Sequence, residues 1–272
     1  MRKNGYNPVR RNRNIGTAKQ GLGRNNALRI PSVCHEERVW WENLGPHTLL
    51  ERSAGSRTLA FLVERTREDC EHACSVDDIC QILSLVPAED IESLDTIILR
   101  QPTRKQWLLS PAWGRLAYSA EFGQAGKKIR RTGPAILLEA INPAAVWKWG
   151  RDLSPADSLE VDRLREDGHS VEDTGKRFLF HSNLESVRAT QLYRTLLHEV
   201  GHWVHWLRMV ARPAEKSGLH DVLADRFFAQ PQKERELFAH QYADALRKRL
   251  IAEGGIPLAR MTHSLRKSGD SR

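Results

Sequence analysis

The pattern of apolar and polar positions changes character midway along the 272-residue chain. In the first half the apolar positions come as short runs bounded by turn residues: Thr58–Val63, Asp95–Leu99, Leu116–Phe122 and Pro134–Ile141. Runs of that length, rich in branched and aromatic residues, predict strands. Ser75-Val-Asp-Asp78 has the form of a capping box and predicts a helix that stops at Pro87. A second helix is expected from Ser154-Pro155 to Gly168, ahead of the strand-like Arg177–Phe180. Helical spacing then takes over. Leu192, Leu196, Val200, Trp203 and Leu207 recur at three- and four-residue steps, which predicts an amphipathic helix over 190–206 with Thr190 as its N-cap. A last helix is expected between Pro231, suited to a first helical position, and the stop at Gly254-Gly255. Glu234 and Glu236 near its start and Arg247, Lys248 and Arg249 near its end match the helix dipole. Ala239 and Ala243 allow a close approach to the 190–206 helix. Strands first and helices last predict an α+β class. One domain is expected over 34–257, sheet-rich to 150 and helical from 151.

Inside the 190–206 helix stands His198-Glu199-Val200-Gly201-His202. Histidines four residues apart lie one above the other on a single helix face, so both can reach one metal ion. Glu199, beside the first, can reach a water held by that ion. This is the H-E-x-x-H signature of zinc hydrolases, expected by chance about 0.03 times in a chain of this composition. A similar start at His35-Glu36 fails, since four positions after His35 stands Val39.

A catalytic zinc usually takes three protein ligands. His205 lies seven residues after His198, about 10.5 Å along a straight helix, too far for bonds of about 2 Å to converge. No glycine follows His202 until Gly218 to break the helix before it. The third ligand is therefore sought on the second helix. There, Glu236-Leu-Phe-Ala-His-Gln-Tyr-Ala243 resembles the glutamate helix of gluzincin metallopeptidases, notably the compact lethal-factor-like ones with the pattern E-x-F-A. The resemblance covers only the stretches near 190–206 and 234–246. It implies Glu236 as third ligand. A second register, E-A-N-x-F-A of repressor-cleaving regulatory proteases, would make Glu234 the ligand, although its inner alanine and asparagine are missing here.

The resemblance also implies a zincin-like domain, a small twisted sheet followed by the two metal-bearing helices, and one catalytic Zn2+. The expected activity is that of a metalloendopeptidase in which Glu199 is general base towards a zinc-bound water, in a processing or regulatory role. Its partner would be a protein or peptide. Compact zincins pair an extended substrate with an edge strand, for which 134–141 is the candidate. Lethal-factor-like enzymes carry an oxyanion-binding tyrosine seven residues before the ligand glutamate. That position is Ala229 here, so Tyr242, His240, Tyr193 and His220 become the candidates. Asp221, Asp225 and Asp244 are in range to orient the ligand histidines.

Composition adds one qualification. The formal charge of +8 has a local source. Eight of the 42 Lys and Arg fall in residues 1–33, which hold no carboxylate, and the other 34 match the 34 Asp and Glu. This Asn- and Gly-rich segment is expected to be a disordered tail able to touch nucleic acid through phosphates. An alternative function follows: a DNA-associated regulator whose metal site is structural or vestigial. Residues 258–272 are expected to form a second flexible tail. No apolar run approaches 18 residues and no apolar core of a secretory signal is present, so a cytoplasmic protein without membrane contact is expected. Cys34, Cys70, Cys74 and Cys80 are too few for a disulfide framework. The spacing Cys70-x-His72-x-Cys74-x5-Cys80 fits no common metal template, so free thiols are expected.

Overall fold

Strands β1 (Asn43–Leu44), β2 (His47–Ala54), β3 (Arg57–Glu64), β4 (Thr96–Arg100), β5 (Gly114–Gln124) and β6 (Arg131–Glu139) form one mixed sheet in the order β1-β5-β6-β4-β3-β2. The structure, a computed structural model, describes residues 42–109, 112–124 and 131–258. The basic tail expected over 1–33, Cys34 and, apart from Leu258, the tail expected over 258–272 lie outside the described residues.

β3, β4 and β6 run parallel to one another, while β2 and β5 are antiparallel to their partners β3 and β6. All five residues of β4 are buried, as suits an interior strand with both faces covered. The four strands read from the apolar runs are β3, β4, β5 and β6. The edge assignment for 134–141 is overturned, because β6 pairs with β4 on one side and β5 on the other. Among the described residues the open edge belongs to β5, since β1 pairs with it only at Gly123 and Gln124. A second sheet, β7 (Val146–Gly150), β8 (Ser170–Asp173) and β9 (Arg177–His181), is antiparallel in the order β7-β9-β8. Its Phe180 packs with Val161 and Leu164 of the helix Pro155–Glu166. Together these elements make a mixed α+β molecule.

The helix Val76–Ser84 opens on the expected capping box, with Ser75 Oγ accepting from the Asp78 N–H at 3.0 Å and the Asp78 carboxylate accepting from the Ser75 N–H at 2.9 Å. The metal-motif helix begins earlier than its apolar stripe suggests. Asn183 caps Leu184–Thr190, and the chain continues helically through Gln191–Thr195, Leu196–Trp206 and Leu207–Ala211 to Arg212–Ser217. Gln191–Thr195 and Leu207–Ala211 are π-helical turns. Thr190 is thus no N-cap: it has helical dihedrals, and its hydroxyl donates sideways to Asp167 at 2.8 Å. The reciprocal cap that Asn183 and Ser186 form upstream displaced it.

Leu192, Leu196, Val200, Trp203 and Leu207 are all buried, against Ile79, Ile82 and Leu83 of the first helix and Phe61, Ile97 and Ile136 of the sheet. The final helix is Gln232–Ala252, with Pro231 one position before it in an extended conformation and Gly254 beyond it at φ 71°. Among the described residues no helix is long and apolar enough to cross a membrane.

Candidate metal centre and active site

Gly201 decides how near the final helix comes. A Cβ at this position would lie 2.8 Å from the Ala239 carbonyl oxygen and 3.0 Å from Ala239 Cα. The two helices therefore touch backbone to backbone, with Ala239 and Ala243 both buried in the contact. That approach sets Glu236 over the motif. Its Oε2 lies 3.2 Å from His198 Nε2 and 3.4 Å from His202 Nε2. Two ligands of a tetrahedral ion with bonds of about 2.0–2.1 Å lie about 3.3 Å apart, so the spacing fits one ion shared by all three groups. Among the described residues His198, His202 and Glu236 are the group able to hold a metal ion, their donor atoms all within 4.8 Å of one another. The two imidazoles, His198 first, hold the Glu236 carboxyl well below the usual carboxylate range.

Glu234, the alternative ligand, is exposed and stands outside this group. One helical turn carries a side chain back to the same face, but a two-residue step does not. His205 is buried elsewhere, stacked on Phe238 with ring centroids 4.3 Å apart.

Glu199 is buried at 7 % exposure and accepts a hydrogen bond from the Leu116 N–H on the open side of β5. Burial raises its pKa above the ordinary glutamate value, against the opposing pull of His198 and His202. Two cavities, of about 280 and 340 Å³, meet at Gly114, His198 and Glu199. The first extends past His240 towards Arg194 and the second past Tyr118 towards Arg235. The carboxylate and both imidazoles thus lie along a groove beneath the β5 edge.

The candidate oxyanion donors separate. Tyr242 donates to Asp90 at 2.8 Å, and His220 is an exposed side chain beside Asp221 at 3.4 Å. The Tyr193 hydroxyl accepts from the Leu258 N–H at 2.8 Å. Only His240 stands by the metal group, its ring 4.4 Å from that of His198, and burial lowers its pKa. The sequence reading missed Tyr118. An extra residue in β5 between Ala117 and Ala120 bulges the strand there, a device that redirects side chains. Tyr118 lines the groove, and burial pushes its hydroxyl pKa up. No spacing in the sequence marks that bulge.

None of the three aspartates orients the ligand histidines. Asp244 pairs with Arg163 at 3.6 Å, Asp221 lies beside His220, and Asp225 is exposed. Nδ1 of both His198 and His202 is buried with no hydrogen-bond partner among the described residues. The rings are held by packing, edge to face with each other at 4.6 Å. Cys70, Cys74 and Cys80 are free thiols. His72 bonds the Glu64 carbonyl at 2.8 Å, so the Cys70–Cys80 stretch forms no second metal group among the described residues.

Comparison of the chain with protein-family models, with curated proteins and with solved structures finds no match in any of the three.

Proposed function

We propose that the protein is a zinc-dependent metallopeptidase of zincin-like architecture, with His198, His202 and Glu236 as ligands and Glu199 as general base. The observation that carries this reading is the convergence of Glu236 on the two histidines at 3.2 and 3.4 Å, next to a buried carboxylate. Two imidazoles and one carboxylate form a donor set typical of catalytic zinc, which keeps a fourth position open. A zinc ion there would supply Lewis acidity towards the scissile carbonyl and bring the pKa of its water to about 7.

The chain's own groups supply the rest. Glu199, its pKa raised by burial, accepts a proton from the attacking water and delivers it to the leaving amine. The Leu116 N–H keeps the Glu199 carboxylate on the groove side of β5. Among the described residues no strand pairs with the outer side of β5 before Gly123, which suits an extended peptide adding there as a further strand. Tyr118, kept protonated by its raised pKa, and His240 flank the site as hydrogen-bond donors to developing charge on the carbonyl oxygen.

Metal analysis tests the reading. The purified protein should bind about one zinc ion per chain, lost in His198→Ala and in Glu236→Ala but retained in Glu234→Ala. Zinc that survives Glu236→Ala would remove the proposed centre.

A further inference from the structure

Among the described residues, the groove holds one guanidinium without a carboxylate partner. Besides Arg115, whose Nε lies 3.3 Å from Glu139, four arginines (Arg57, Arg100, Arg235 and Arg247) have a buried Nε without a hydrogen-bond acceptor among the described residues. Three of them direct their terminal nitrogens to a carboxylate. Arg57 reaches Asp95 at 2.8 Å, Arg100 reaches Glu139 at 3.0 Å, and Arg247 reaches Asp167 at 3.7 Å. Arg235 has no carboxylate within 4.0 Å among the described residues. It is not loose either. Its guanidinium carbon lies 5.7 Å from the Phe227 ring centroid and 5.6 Å from that of Phe228. Aromatic faces of this kind hold a guanidinium in position and leave its planar N–H fork available.

The place matters as much as the missing partner. Arg235 lines the cavity that contains His198, Glu199, His202 and Glu236. Both carboxylates of that cavity are engaged, Glu236 with the histidines and Glu199 with the Leu116 N–H. On the other side of the metal group, Arg163, Arg194 and Arg247 are each paired to acidic residues. A buried N–H without an acceptor, such as the Nε of the half-buried Arg235, is costly. A carboxylate brought in by the substrate would remove that cost and form a bidentate, charge-assisted pair.

We propose that Arg235 is a specificity-determining residue that receives a carboxylate of the peptide substrate close to the scissile bond. The inference rests on the metallopeptidase reading. The carboxylate is an Asp or Glu side chain or a C-terminal carboxylate, and the test separates the two.

The zinc-loaded full-length protein is incubated with a degenerate pool of short peptides, supplied as free acids and as C-terminal amides, and the products are sequenced. Enrichment of Asp and Glu at one position relative to the cut, equal in both pools, is expected for side-chain recognition. Cleavage confined to the free-acid pool, at a fixed distance from its C-terminus, is expected for the terminal carboxylate. Cuts without either preference overturn the proposal and leave hydrolysis standing. For a peptide pair differing only in Glu against Gln at the enriched position, or in acid against amide, kcat/KM should differ about ten- to a hundredfold, mostly through KM. That ratio should collapse towards one in Arg235→Gln, keep an intermediate value in Arg235→Lys, and invert in favour of a basic residue in Arg235→Glu. A fall in kcat by the same factor on both peptides would instead make Arg235 a transition-state donor and overturn the specificity role. Zinc content and thermal unfolding identify any variant that fails to fold, in which case Arg235→Lys decides the question. If the wild type cuts nothing, the hydrolysis reading fails by itself. The carboxylate site is then read from retention of the same peptide pair on zinc-loaded Glu199→Gln protein with and without Arg235→Gln, and equal retention overturns it.

Discussion

The two halves of one continuous helix treat their polar residues in opposite ways. In residues 184–195 each buried polar side chain has partners built into the fold. Arg188 forms a two-pronged pair with Asp78 at 2.6 and 3.2 Å, and Gln191 donates to the carbonyls of Glu139 at 2.7 Å and Trp113 at 3.1 Å. Thr190 donates to Asp167, so its oxygen accepts from His169 Nε2–H at 2.9 Å, while His169 Nδ1 faces the Ser182 hydroxyl at 2.8 Å. In residues 196–206 the apolar side chains do the anchoring, and His198, Glu199 and His202 face one groove. His198 and His202 meet only Glu236 through Nε2, and the Nδ1 atoms of His198, His202 and His205 have no partner among the described residues. Buried polar groups are normally satisfied by the fold, and exceptions mark places where something else is expected to bind. The upstream half is built for position, and the downstream half carries the proposed metal site.

This contrast predicts different consequences of mutation. The largest effect on stability should follow Arg188→Ala, which strands Asp78 in the interior and is expected to cost about 3–5 kcal/mol in urea unfolding. Glu199→Gln, in the downstream half, should change the stability of the metal-free protein by less than about 1 kcal/mol. Equal losses would erase the distinction. Gly201→Ala should cost about 1–3 kcal/mol, because the added methyl meets Ala239 backbone at 2.8 Å. It should also weaken zinc binding in titrations, since Glu236 sits on the helix that must move. Unchanged affinity would show that the helix contact does not set the site.

A smaller effect is expected from pH. Burial, with the Arg194 charge adding to it, pushes His169 from the ordinary 6.5 down to about 4. Its folded value lies below its unfolded one, so the unfolded chain takes up the proton first. The contribution of His169 is complete above pH 6.5 and is lost as pH falls towards 4. Thermal unfolding of the wild type should therefore drop more steeply across that window than that of His169→Gln. Superimposable curves would mean that the contact with Thr190 carries no such coupling.

Much of this arrangement was legible in the sequence because it rests on local periodicity. The four strands, the two serine-capped helices and the metal-motif helix follow from runs, caps and stripes that act over a few residues. His198, Glu199 and His202 belong to one short stretch of helix, and Glu236 followed from a short likeness on the final helix. Other features depend on non-local pairing. The open edge on β5 is set by which strands meet in the sheet, and 134–141 reads equally well as an edge or an interior strand. Tyr118 enters the groove through a bulge with no sequence mark. Thr190 looks like a cap until Asn183 and Ser186 are seen to form a better one. Arg235 gains its meaning only from carboxylates that lie elsewhere.

The central claim is that Glu199 moves a proton at a metal held by its neighbours. Its most direct test is turnover of a degenerate peptide pool by zinc-loaded wild type and Glu199→Gln protein, measured at matched zinc content. Glu199→Gln should retain about one zinc per chain and lose turnover by about 10²–10⁴-fold. Cleavage by Glu199→Gln at the wild-type rate, with zinc in place, would contradict it.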